Sequence, residues 1–297
     1  MKPAAALPER SPGRPAGRFE LLDAILAQRS GRWGLLLVLF HLALALLSPW
    51  LVPYDFAAQD ADHILKPPSW DFWLGTDKLG RDVFTRTLLG GREAIMISSL
   101  ACALAMLWGG FLGIFLALVG GRLDEWGMRL VDALLALPWI LVAMIFITTL
   151  GNGAAVLIVV LGVTYGFSVV RIARSAALDF IAKDFIRAAQ ARGQGRLDIV
   201  WSELLPNVRD SLAVESAMQW SWMLLGFSSL SFLGMGVSPP TPDWGLMISD
   251  ARGTMAAAPW SILPPMVALS SLVIGINLTA DAVSKALGVD RTAGRAA

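Results

Sequence analysis

One cysteine, two histidines and two tyrosines occur in 297 residues, and only 16% of the residues are charged. Each scarcity excludes something. Cys102 stands inside an apolar run, so neither a disulfide framework nor a cysteine metal site can be built on it. His41 and His63 lie far apart in unlike settings, and read as a buried helix residue and a surface loop residue. A histidine-based catalytic or metal centre is therefore not expected. No GxxxxGK[ST] run occurs, so the chain carries no phosphate-binding loop of that kind. A net charge of +1 gives no reason to bind nucleic acid. Soluble globular chains carry about 25% charged residues. At 56% hydrophobic, this chain is too apolar for that class.

In place of charge there are long hydrophobic runs. Residues 33–52 are free of charge and long enough to cross hydrocarbon, with Trp33 and Trp50 at the two interfaces and Pro53 beyond. A second run, 94–120, carries Gly109, Gly110 and Gly113 as a small-residue packing face. After a short charged loop at 122–129, a third run spans 130–150, with Pro138 as a kink. A fourth covers 154–172, a fifth 212–237, and a sixth 262–278, reaching as far as 287. The fifth is the most polar, with Glu215, Gln219, Ser221, Ser228, Ser229 and Ser231. Such residues usually face a bundle interior or a water-filled path, although serines also bond back to their own helix. The expectation is an all-α integral membrane protein with about six transmembrane helices.

Charge orients it. Residues 1–32 are rich in Pro and Arg and read as a flexible basic tail with a short amphipathic helix at 19–28. Between 171 and 209, seven basic residues face four acidic ones, which places that loop in the cytoplasm. Both termini, 1–32 and 288–297, then lie in the cytoplasm as well, and the polar segment 53–93 lies outside. The remaining 94–287 form a core of five spans interrupted by a loop at 175–209.

Three motifs stand out. The loop reads DFIRAAQARGQGRLDIVWSELLPN from residue 184 to 207. Its periodicity predicts a helix over 183–192, with Phe185, Ile186, Ala189 and Gln190 on one side. Gly193 and Gly195 end that helix, and a second short helix over 197–205 stops at Pro206. Before the second span stands LGTDKLGRDVFTRTLLGGR, residues 74–92. There Gly75, Thr76, Asp77 and Gly80 predict a capped turn, and Arg81 and Asp82 lead into a short helix at 82–89. Late in the fifth span comes LSFLGMGVSPPTPDWG, residues 230–245.

Together these motifs resemble the inner-membrane permeases of ABC importers, in the dipeptide, oligopeptide and nickel branch and its second-permease (C-type) group. Arg187-Ala188-Ala189, Gly193 and Leu205-Pro206 match the spacing of that family's EAA loop. Arg187 takes the place of the broad family's Glu, and Glu203 that of its Ile. The resemblance implies a type I ABC importer permease fold. It also implies a partnership with a homologous second permease, two ATP-binding cassette subunits and an extracytoplasmic solute-binding protein, in a bacterial cytoplasmic membrane. ATP and Mg would be held by the partner ATPases, whose movement would pass through residues 183–206. This chain would bind no cofactor or metal and catalyse no covalent chemistry. Candidates for its translocation path are Gln219, Ser228, Ser231 and Phe227, the last standing where the branch commonly has an acid. Two other classes remain: an ATP-independent secondary transporter, which usually needs intramembrane charges and inverted repeats, and a membrane enzyme, for which nucleophile and metal ligands are scarce. Within the resemblance the expected cargo is a di- or oligopeptide, with nickel chelate or glutathione-type import as alternatives.

Overall fold

The computed structural model describes residues 18–288. Its helices are α1 (Arg18–Ala27), α2 (Arg29–Leu51), α3 (Val83–Val119), α4 (Gly121–Leu135), α5 (Trp139–Leu150), α6 (Ala154–Ile181), α7 (Asp184–Ala191), α8 (Arg196–Ile199), α9 (Leu205–Phe232), α10 (Trp244–Ala251) and α11 (Leu263–Leu287). Extended structure among the described residues is confined to one isolated bridge, Thr76 to Asp82.

The centre is a pair, α3 and α6, running in the same direction. A Cβ on Gly109 would lie 2.5 Å from Gly166 O, and one on Gly113 would lie 2.3 Å from Val170 O, so only glycine permits this approach. Gly110 faces elsewhere, toward Leu212 of α9. The α9 helix packs antiparallel against α3, with the Trp220 indole N–H donating to Ser98 Oγ at 3.0 Å. On the flank, α2 and α11 are antiparallel, and buried His41 reaches Ser271 Oγ at 3.1 Å.

Among the described residues, four helices are apolar and long enough to cross a membrane singly: α2, α3, α6 and the unit ending in α11. The pair α4 and α5, bent by 82°, is long and apolar enough only when the two are taken together. The α9 helix has 28 residues but its polar side chains keep it outside that apolar class.

Several sequence expectations change here. Residues 122–129 are helical, as the front of α4, rather than a loop. Pro138 does not kink a continuous span. Proline pushes the residue before it out of helical conformation, and α4 and α5 are separated by Ala136, Leu137 and Pro138. The short helix expected at 82–89 and the second span are one helix of 37 residues, with Asp82 accepting the Thr85 N–H at 2.7 Å as its cap. Pro206 does not stop the second loop helix. It sits in the first turn of α9, where its missing N–H costs nothing, and a π-helical turn at Val200–Leu204 joins α8 to α9. Nor are residues 18–32 a free tail: α1 folds onto α11, and Gln28 Nε2 donates to Ala282 O at 3.1 Å. Residues 1–17 and 289–297 of the expected tails lie outside the described residues.

Candidate functional site

At one end of the bundle sits α7. Ile186 and Ala189 are fully buried in an apolar seat with Ile114 and Ala117 of α3, Ala173 and Ala177 of α6, and Val208 of α9. Arg187 and Ala188 point outward, and so does Gln190, expected on the buried side. The alanine pair is therefore divided: Ala189 makes its close approach within this chain, and Ala188 stays open to another surface. Gly193 has φ of +77°, the left-handed exit that stops α7, and its N–H donates to Gln190 O at 2.9 Å. Arg192 lies 3.7 Å from Glu203, so Glu203 faces α7's exit. Leu205 is half-buried on the seat and Pro206 exposed. Beside the seat, Asp124 of α4 accepts two hydrogen bonds from Arg174 of α6, at 2.5 and 2.6 Å.

The opposite end joins the other two motifs. Gly75 and Gly80 both have positive φ. Asp77 Oδ1 accepts from the Leu79 and Arg81 N–H groups, and its Oδ2 accepts from Arg81 Nε at 2.7 Å. The Thr76 hydroxyl donates to His63 O and accepts from the Lys66 N–H. Arg86, 1% exposed, donates to Phe56 O at 2.8 Å and Pro240 O at 3.2 Å. The Trp244 indole N–H donates to Thr87 O at 2.8 Å, and Lys78 pairs with Asp250 at 2.8 Å. Asp243 caps α10 by accepting the Leu246 N–H, while burial pushes its carboxyl up to about 6. Out on the loop, the bond to His63 holds the Asp60 carboxyl below its usual range.

Between these ends a cavity of about 540 Å³ opens at the break between α4 and α5, lined among others by Pro138, Trp139, Tyr165, Gln219 and Trp222. Of the residues expected on a path, Gln219 is on its wall. Ser228 borders a separate cavity of about 370 Å³ beside Gly245. Phe227 and Ser231 are fully buried, Phe227 within the main core, and neither lines either cavity. The aromatic trio Trp139, Tyr165 and Trp222 was not among the sequence candidates. Its one sequence signal is a Trp directly after Pro138 in an otherwise aliphatic run.

Residues 109–289 match the family described as "Binding-protein-dependent transport system inner membrane component", and residues 24–68 match "N-terminal TM domain of oligopeptide transport permease C". The chain is 34% identical to the "Di/tripeptide transport system permease protein DppC" of Pseudomonas aeruginosa (strain UCBPP-PA14), over 92% of each chain. It is 31% identical to the "Oligopeptide transport system permease protein OppC" of Bacillus subtilis (strain 168), over 89% of this chain and 88% of that one. Identity to the "Nickel transport system permease protein NikC" of Escherichia coli (strain K12) is 34%, over 86% of this chain and 93% of the relative.

Proposed function

The chain belongs to the binding-protein-dependent inner-membrane transport family, and from that premise we propose that it is one permease half of an ATP-driven importer of di- or oligopeptides. In this reading the α7 end is cytoplasmic. ATP is hydrolysed by two partner cassette subunits, a second permease completes the path, and a solute-binding protein delivers cargo at the opposite end. Arg187, Ala188 and Gly193 form the coupling surface, with Ala189, Leu205 and Pro206 beneath and beside it.

The observation that carries this reading is the seat of α7. An exposed Arg187–Ala188 surface rests on α6 and α8, over an apolar cluster to which α3 and α9 also contribute. A force applied there is shared among three long helices. Such coupling requires that the ATP-bound partner interact differently with the two permease states.

A peptide cargo is favoured by the cavity wall, where the Gln219 amide and the Thr164 and Ser168 hydroxyls offer hydrogen bonds without fixed charge. A nickel chelate is the second reading, supported by the nickel permease relative at equal identity.

The test is a mild-detergent pull-down from the native membrane with mass spectrometry. Recovery of a second permease, two ATPases and a binding protein is expected. Recovery of the chain alone, active in uptake driven only by an ion gradient, overturns the reading. Gly193→Pro and Ala188→Glu are each expected to leave insertion intact and to abolish uptake and ATPase stimulation; uptake at the parental rate in both would remove the loop from the mechanism.

A further inference from the structure

The break between α4 and α5 leaves two helix ends at one cavity. The α5 helix has 12 residues, about 18 Å of rise, too short to cross hydrocarbon about 30 Å thick. It therefore cannot span the hydrocarbon alone, and Trp139 at its start packs on Tyr165 of α6, with ring centroids 5.3 Å apart. Irregular backbone at membrane depth is tolerated only where protein buries it or where it lines a water-filled space. Here it lines the 540 Å³ cavity, through Ala136, Leu137 and Pro138.

The two ends carry opposite partial charge. No side chain caps the start of α5, and among the described residues the Trp139 and Ile140 N–H groups donate to no backbone carbonyl. The carbonyls of Leu135, Ala136 and Leu137 likewise accept no backbone N–H outside the helices. A third group points to a ligand independently. Gln219, 5% exposed, lines the same cavity; its Nε2 donates to Glu215 Oε1 at 2.7 Å, and its Oε1 is buried without a partner. Free N–H donors, free carbonyl acceptors and an unpaired amide oxygen thus surround one aromatic-walled space.

We propose that this cavity is a substrate-binding site for a short peptide with free ends, its carboxylate at the start of α5 and its ammonium at the carbonyls of 135–137. Trp139, Tyr165 and Trp222 flank the peptide's side chains, and Gln219 receives a backbone N–H. The proposal rests on the peptide-import reading and adds to it a site within this chain, distinct from the delivery of cargo by the binding protein.

The complete importer, reconstituted in proteoliposomes without its binding protein, is photolabelled with alanyl-benzoylphenylalanine, and the adduct is mapped by mass spectrometry. Labelling within 134–142, or at Tyr165 or Trp222, is expected. It should be competed by alanyl-phenylalanine at least five-fold better than by its acetylated, amidated form. Gln219→Leu is expected to lower labelling at least five-fold in importer recovered intact with its partner subunits. Label confined elsewhere, equal competition by the blocked peptide, or unchanged labelling of Gln219→Leu overturns the site. Uptake of alanyl-phenylalanine with the binding protein present separates the two claims. Uptake without labelling sinks the site alone, whereas no uptake sinks the peptide reading.

Discussion

The two ends of the bundle are held by opposite means. At the α7 end, the contact of α7 itself is apolar: Ile186 and Ala189 sink into a seat of alanine, valine and isoleucine, and the buried Asp124 with its Arg174 lies beside that seat. At the end where the other two motifs meet, charge itself is buried. Arg86 ties the segment at Phe56 to the loop at Pro240 and Arg81 locks Asp77, while at the exposed rim Lys78 reaches Asp250. Apolar contact is non-directional and lets surfaces slide. Buried hydrogen-bonded charge accepts one geometry and penalises others. The contrast suits the proposed function, in which the α7 end transmits movement and the other end keeps its shape.

Three measurements break or sharpen that contrast. The largest effect is expected for Arg86→Met, which leaves two buried carbonyls and a nearby carboxylate uncompensated. A loss of about 3 kcal/mol or more should show as a clear fall in the melting temperature of the purified protein. A melting temperature equal to the parent's would mean that this end is not held by charge.

Asp243 gives an intermediate effect with a definite sign. Its carboxyl is raised to about 6 from 3.8 when folded. Stability is therefore fullest below about pH 4 and falls as pH rises toward 6, by roughly 3 kcal/mol across that window. Asp243→Asn keeps an acceptor for the Leu246 N–H and should abolish that slope. An identical pH–stability curve for parent and variant would contradict the burial of this group. The smallest effect belongs to Arg192→Ala: its partner Glu203 is 3.7 Å away at a solvated edge, and less than about 1 kcal/mol is expected. A loss rivalling that of Arg86→Met would erase the difference between the ends.

Much of this was legible in the sequence, though unevenly. The long apolar runs announced α2, α3, α6 and α11, because a charge-free stretch of that length has few alternatives to crossing a membrane. The glycine exit at 193 and the helix start at Asp82 were readable because their causes are local. Contacts between motifs were not. The runs at 74–92 and 230–245 were each visible, but nothing in either shows that Arg86 reaches Pro240, since that contact is made by the packing of α3 against α9 and α10. Periodicity over 183–192 put Ala189 on the side of Ile186, and both are buried, but it put Gln190 there as well, and Gln190 is exposed. Pro138 was read as a kink because proline marks a disturbance without fixing its size. The size of the break, 82°, depends on how α4 and α5 each pack, and α4 is tied to α6 through Asp124 to Arg174 and Asp132 to Arg171.

The unbroken length of α3 has one more consequence. At 37 residues it is a rod about 55 Å long, with the seat of α7 at one extremity and Arg86 at the other. A tilt of only about 5° at one extremity displaces the other by about 5 Å over that length. Whatever tilts α3 at the seat of α7 is thus felt beneath the far mouth of the bundle.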